Sequence, residues 1–240
     1  MLSTRNYLRH GHRLSIERLS LLRNSQTGTD VVIALPGPSL QRLGSSLDLD
    51  KAKTCVVAVN FARDALTPQE WKHAYSYASD EWRIQQLSEN QPKHSWDNVR
   101  VLKILSKHTW PVDVTFSDKD VWIRGVNIPA SRRLNWAPFS VDLGRIIYLT
   151  GGTSLFGAVQ FAAWIGARSI QLIGADFGIN DKGITHGVHT PVWSTEVRSD
   201  EVWEAKWKNK ISPALQRYRT LLHRKAVSLS NMSQTSRDTW

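Results

Sequence analysis

Two histidines, two aspartates, an asparagine and two glycine-rich turns with hydroxyl side chains are the residues here whose types and spacing could do chemistry. His186 and His189 stand in residues 178–189, a polar loop rich in turn formers that follows Asp176. No cysteine lies near them and no His-Glu-x-x-His pattern is present, so zinc is not expected. An imidazole that titrates near neutrality suits general acid–base work instead. Asp80 and Asp176 each follow a segment that reads as a strand. Either carboxylate suits Mg²⁺, a ribose hydroxyl or a helix cap. Asn60 also follows a strand-like run, and its amide offers a donor and an acceptor in one plane, which suits base or ribose recognition.

The two turns are candidate phosphate contacts. Gly37, Pro38 and Ser39 directly follow an apolar run over 31–34, with Gly37 suited to a close ligand approach and Ser39 beside a helix start. The turn is neither a Walker A loop nor a GxGxxG fingerprint. Gly152, Thr153 and Ser154 open an apolar helix, whose first N–H groups and positive dipole end favour an anion. If both turns face one cleft, Gly37→Val is expected to abolish nucleotide binding and spare the fold.

Positioning these residues requires strands whose carboxyl ends share an edge. Apolar runs predict strands over 31–34, 54–59, 74–79, 99–105, 145–149 and 226–229, with another between the helix after Ser154 and Asp176. A glycine, Gly166, stops that helix. Further helices are expected near Ser199 and from Ser212-Pro213, with Ser212 as N-cap. The expected fold is therefore α/β: a Rossmann-like sandwich with a largely parallel sheet. Residues 106–143 show no helical period and contain Pro111, Pro129 and Pro138, so they read as a lid, an acceptor-binding insertion or a small excursion of strands near the ligand edge. Residues 1–28 read as a basic N-terminal helix packed on the domain. Residues 29–236 read as a single nucleotide-binding catalytic domain.

Composition narrows the partners. The chain has 240 residues, net charge +10 and a pI near 9.9, so a polyanion or a nucleotide donor fits. The basic residues do not form one block; Arg132 and Arg133 are paired, and Arg217, Arg219, Arg224 and Lys225 decorate the last helix. No apolar run is long enough to span a membrane. The single cysteine, Cys55, sits within an apolar run and reads as a reduced core thiol, so a cytoplasmic location is expected.

The segments VVIALPGPSL (31–40) and GGTSLFGAVQFAAWIGARSIQLIGADF (151–177), taken with Asn60, the Gly-Ile-Thr-His-Gly run and the closing VSLSNMSQTS, resemble one superfamily. It unites bacterial lipooligosaccharide sialyltransferases, motility-accessory-factor flagellin glycosyltransferases and 6-hydroxymethylpterin diphosphokinase-like proteins. The resemblance implies that Gly37, Ser39, Thr153 and Ser154 hold a donor nucleotide, with Asn60 beside the sugar or phosphate. It also implies a general base at His186 or His189. Pro36 stands where the sialyltransferases have asparagine, and residues 178–189 lack their tyrosines, which leaves the donor sugar open.

Three functions follow as expectations. The first is a glycosyltransferase that moves a sugar from a CMP- or UDP-linked donor to an acceptor hydroxyl, with a histidine as base, no metal, and a glycan or nucleic acid as an anionic acceptor. The second is Mg²⁺-dependent pyrophosphoryl transfer from ATP of the pterin diphosphokinase type, with Asp80 and Asp176 as the metal ligands. The third is a DNA- or RNA-binding or modifying protein, which includes a nucleic-acid glycosyltransferase.

Overall fold

The structure, a computed structural model, describes residues 12–44, 49–79, 96–103, 120–127, 147–149, 153–176, 205 and 207–233. Short runs rich in valine, isoleucine and alanine form the core strands. These are β1 (Asp30–Ala34), β2 (Cys55–Val59), β3 (His73–Ala78), β4 (Asp97–Lys103), β5 (Val121–Asn127), β6 (Ile147–Leu149), β7 (Ser169–Ile173) and β8 (Ser228–Asn231). They make one sheet in the order β6-β5-β4-β3-β2-β1-β7-β8, and every pair is parallel. A parallel sheet covered on both faces needs strands apolar on both sides, and β2 is buried at all five positions. The expected α/β parallel architecture is the observed one.

The stretch 106–143 is more than an irregular excursion. Its middle forms β5, an internal strand between β4 and β6. Val121 and Ile123 are buried there. Arg124 and Gly125 dilute the apolar signal, so the sequence shows the prolines of the connections more clearly than the strand they flank.

The two faces of the sheet are covered differently. On the first lie α1 (His12–Leu22), α2 (Leu155–Trp164) and α3 (Ser212–His223), over Val31, Ile33, Val57, Tyr75 and Tyr77. Phe161 of α2 meets Tyr75 edge-on with ring centroids 5.2 Å apart. The helix α1 docks on the domain: Trp164 Nε1–H donates to Leu19 O at 2.9 Å, and Arg23, just beyond it, sits over the Trp164 ring. On the second face the small side chains Ala34, Ala58 and Ala74 pack with Leu40, Ala62 and Trp71. Those three come from short 3-10 segments and the residues beside them.

One helix start differs from expectation. A π-helical turn, Trp207–Ile211, leads directly into α3, so Ser212 is its first residue and not an N-cap. The backbone before it is already helical and needs no cap. The helix expected near Ser199 lies outside the described residues. Among those described, no helix is long and apolar enough to cross a membrane.

Helix α2 runs from the carboxyl edge of the sheet to the amino edge. Its end is fixed by N–H groups of Asn24, Gln26 and Gly28, which donate to the carbonyls of Trp164, Ile165 and Gly166 just before β1 begins. Gly166, at φ +96°, makes the left-handed stop. Beside this edge Asp30 accepts two 2.8 Å hydrogen bonds from Arg168, which joins the starts of β1 and β7.

Two solution measurements check this edge and the core. The Arg168 hydrogen bond holds Asp30 at about 2, below its ordinary 3.8, against the opposing effect of partial burial. Because the folded value is depressed, this contribution is complete above the unfolded pKa and is lost as pH falls through about 2. Arg168→Ala should lower the melting temperature near neutrality and flatten the acid limb of the Tm–pH curve in calorimetry. Cys55 is fully buried and its thiol, pushed up by desolvation to about 11, donates to Gln26 Oε1 at 3.2 Å. Iodoacetamide should leave it unmodified in the native protein and label it once the chain is unfolded.

Candidate functional site

The chain builds β1 to β6 outward on one side of β1, then returns to lay β7 on the other side. Chain order thus reverses between β1 and β7. Open α/β sheets place ligands at the carboxyl end of such a switch point.

At this point the two strand ends close on each other. Leu35 N–H donates to Ile173 O at 2.8 Å, and Gly37 N–H to Gly174 O at 3.1 Å. A Cβ on Gly37 would overlap Gly174 O and Asp176 Oδ2; one on Gly174, at φ +71°, would overlap Leu35 O. Ser39 donates its N–H (2.9 Å) and its hydroxyl (3.0 Å) to Asp176 Oδ2, and Gly174 N–H donates to Ser39 Oγ at 3.0 Å. Ser39 Oγ also shares a 3.0 Å hydrogen bond with Ser233 Oγ, which accepts from Ala175 N–H at 2.9 Å. All three side chains are buried.

The turn therefore differs from an open phosphate cradle. Pro36 and Pro38 have no N–H, and Leu40 N–H donates to Gly37 O at 3.0 Å. Every backbone N–H from 35 to 40 is bonded inside the protein. Gly37 lacks a side chain because the β7 loop occupies that space. Asp176 takes the cap role among its three expected uses, accepting the N–H near the start of the 3-10 helix Pro38–Gly44.

The next two strand ends are arranged otherwise. Val59 pairs with Tyr77, so Asn60 comes level with Ala78, beside Ser79. Neighbouring strands lie about 4.8 Å apart. Ser79 alternates onto the first face with Tyr75 and Tyr77, and its hydroxyl meets Ser154 Oγ at 2.6 Å. That contact anchors the start of α2 over the end of β3. Ser154 makes no side-chain cap bond to its own helix, while Thr153 Oγ1 accepts from Leu155 N–H at 3.3 Å. Asn60 and the α2 N-terminus thus share the carboxyl edge.

Asn60, like Trp71, Gln171 and Asn231, holds a buried polar atom with no hydrogen-bond partner among the described residues. Its backbone is left-handed at φ +54°, a region asparagine tolerates better than most residues. It is 8% exposed, and its Oδ1 has no hydrogen-bond partner among the described residues. A buried polar atom without a partner costs about 1–3 kcal/mol, so one at a ligand edge marks a place for a ligand donor.

Three polar residues at or near this edge escape notice in the sequence, Ser79, Arg63 and Arg100, and a fourth, Ser233, is read there only within the closing VSLSNMSQTS run. Arg63 lies one 3-10 turn beyond Asn60, is 3% exposed, and has its Nε 3.5 Å from Asp64 Oδ1. Arg100, level with Ala78 in the sheet, donates to Ser76 O at 2.8 Å and to Asn98 Oδ1 at 2.7 Å. Desolvation lowers both guanidiniums, Arg63 against the charge of Asp64 and Arg100 to about 10 against the favourable charge of Asp120. The signal for Arg100 was present: an arginine between Val99 and Val101 breaks an otherwise buried strand.

His186, His189, Asp80 and Gly152 lie outside the described residues. Among the described residues, no three His, Cys, Asp or Glu side chains group as they would around a metal ion. No family model, no curated protein and no solved structure matches this chain.

The switch point yields a direct test. Gly37→Ala and Gly37→Val should both unfold at lower temperature, by about 1–3 kcal/mol or more for overpacking, because backbone and not a movable side chain stands in the way. The expectation that Gly37→Val spares the fold is thereby corrected. Thermal melts of the two variants that match the unsubstituted protein would show that the β1 and β7 loops are not in contact.

Proposed function

We propose that the chain is a glycosyltransferase that uses a nucleotide-activated sugar, CMP- or UDP-linked, of the kind its sequence resembles. The observation that carries this is the buried Oδ1 of Asn60, without a hydrogen-bond partner among the described residues, on the same carboxyl edge as the N-terminus of α2. A nucleotide supplies what this pair lacks. Its base or ribose offers a hydrogen-bond donor to Asn60, and its phosphate offers negative charge to the positive end of α2. Gly37, Pro38, Ser39 and Asp176 support this edge from within, by holding the loop after β1 against the loop after β7.

The chemistry is displacement at an anomeric carbon. An acceptor oxygen forms the new C–O bond, the bond to the donor phosphate breaks, and the nucleotide leaves with that electron pair. His186, with His189 as second choice, takes the acceptor proton, the role the resemblance implies for a base after Asp176. The α2 N-terminus offsets charge on the leaving phosphate. The net charge of +10 suits an anionic acceptor, a glycan or a nucleic acid.

Thermal-shift measurements with CMP, UDP, GDP and ATP, each with and without Mg²⁺, test the reading. CMP or UDP should raise the midpoint without metal. A shift by ATP only with Mg²⁺ would replace it with pyrophosphoryl transfer. Binding of DNA or RNA that falls steeply with salt, with no nucleotide response, would replace it with a nucleic-acid function.

Variants separate the roles. Asn60→Gly keeps the left-handed backbone and removes the unsatisfied oxygen, so it should melt no lower than the unsubstituted protein yet bind nucleotide more weakly. His186→Ala should cut turnover by about two to four orders of magnitude with little change in donor affinity. Full turnover in both His186→Ala and His189→Ala would exclude histidine base catalysis.

A further inference from the structure

We infer that Ser233, just beyond the last strand, is a positioning residue for the nucleotide site; this rests on the nucleotide-binding reading above. Its hydroxyl is 1% exposed and stands where three strand ends meet. It accepts from Ala175 N–H after β7 at 2.9 Å and shares a 3.0 Å hydrogen bond with Ser39 Oγ after β1. Ser233 follows β8 itself, and its N–H is held by Asn231 Oδ1 at 3.1 Å. Met232 N–H donates to Leu172 O at 2.7 Å, which extends the attachment of this segment to β7.

The consequence reaches the site through Ser39. Ser39 belongs to the 3-10 helix Pro38–Gly44, which packs against the 3-10 helix Asn60–Ala65. The orientation of Asn60 therefore depends on where the loop after β1 is held. Two prolines remove the N–H groups that would otherwise tie this loop down, so a larger share of its anchorage falls on the Ser39 side chain. Removing the Ser233 hydroxyl leaves Ala175 N–H and Ser39 Oγ each one partner short in a buried place. Ser233 touches no ligand in this scheme. It fixes the loop that fixes Asn60.

The experiment combines nucleotide affinity with amide hydrogen exchange in the full chain. The probes are CMP and UDP, titrated against the unsubstituted protein, Ser233→Ala, Ser233→Thr, Ser39→Ala and the double variant Ser39→Ala/Ser233→Ala. Ser233→Ala should weaken binding by about tenfold, and Ser233→Thr, which keeps the hydroxyl, should restore most of it. The double variant should bind no worse than Ser39→Ala alone, since both act through one contact. Exchange should quicken in the segments around residues 37–44 and 60–65, not only in β8.

If Ser233→Ala fails to fold, Asn231→Ala, which loosens the same backbone from outside the contact, should show the same affinity loss and exchange pattern. Unchanged affinity in a folded Ser233→Ala, or exchange confined to β8, overturns the inference and leaves the nucleotide reading standing. Failure of the unsubstituted protein to bind CMP or UDP removes that reading, and this inference with it.

Discussion

The carboxyl edge depends on the close approach of two loops that lack side chains where they touch. Gly37 and Gly174 let the backbone after β1 lie against the backbone after β7, and Ser39 and Asp176 then hydrogen-bond across the junction. Backbone contact at this range is possible only without Cβ atoms. The pairing of β1 with β7 consequently continues past the last ladder residue, through Leu35 and Gly37. The switch point of the sheet is closed at its base.

Parallel strands bring the other polar strand ends to the same edge. Because all eight run the same way, the loops after β1, β2 and β3 emerge side by side on one edge. Helix α2 must return to the amino edge to reach β7, so its N-terminus falls on the same edge as those loops. The Ser79–Ser154 hydrogen bond places that helix start, and the apolar face of α2 against Tyr75 and the core holds its axis. The positive dipole end of α2 and the Asn60 amide thus fall on one edge by topology.

The edge also contrasts satisfied and unsatisfied polarity. Ser39, Asp176 and Ser233 are buried and share a continuous set of hydrogen bonds, as buried polar groups in a stable interior must. Arg100 is buried with neutral acceptors and the charge of Asp120 to offset its desolvation. Asn60 alone combines burial, a left-handed backbone and an oxygen with no hydrogen-bond partner among the described residues. Strain and unmet polarity persist where the surrounding structure enforces them and where a ligand can relieve them.

Much of the fold was legible in the amino-acid order because burial on both faces writes itself as runs such as Cys55 to Val59, and glycine marks a helix stop at Gly166. Strand β5 was obscured because Arg124 and Gly125 interrupt its apolar pattern, and only pairing with β4 and β6 makes it a strand. The sequence also placed Gly37, Ser39, Asn60, Ser154 and Asp176 at strand or helix ends. It could not tell which of these face each other inside the protein and which are left with unmet hydrogen bonds, since that depends on partners far apart in the chain. Ser39 finds Asp176 and Ser233, and Ser79 finds Ser154, only after the sheet has assembled in its order. Local pattern determined the elements. Long-range hydrogen bonding decided which polar groups are structural and, among the described residues, left Asn60 Oδ1 among the few buried polar atoms without a partner.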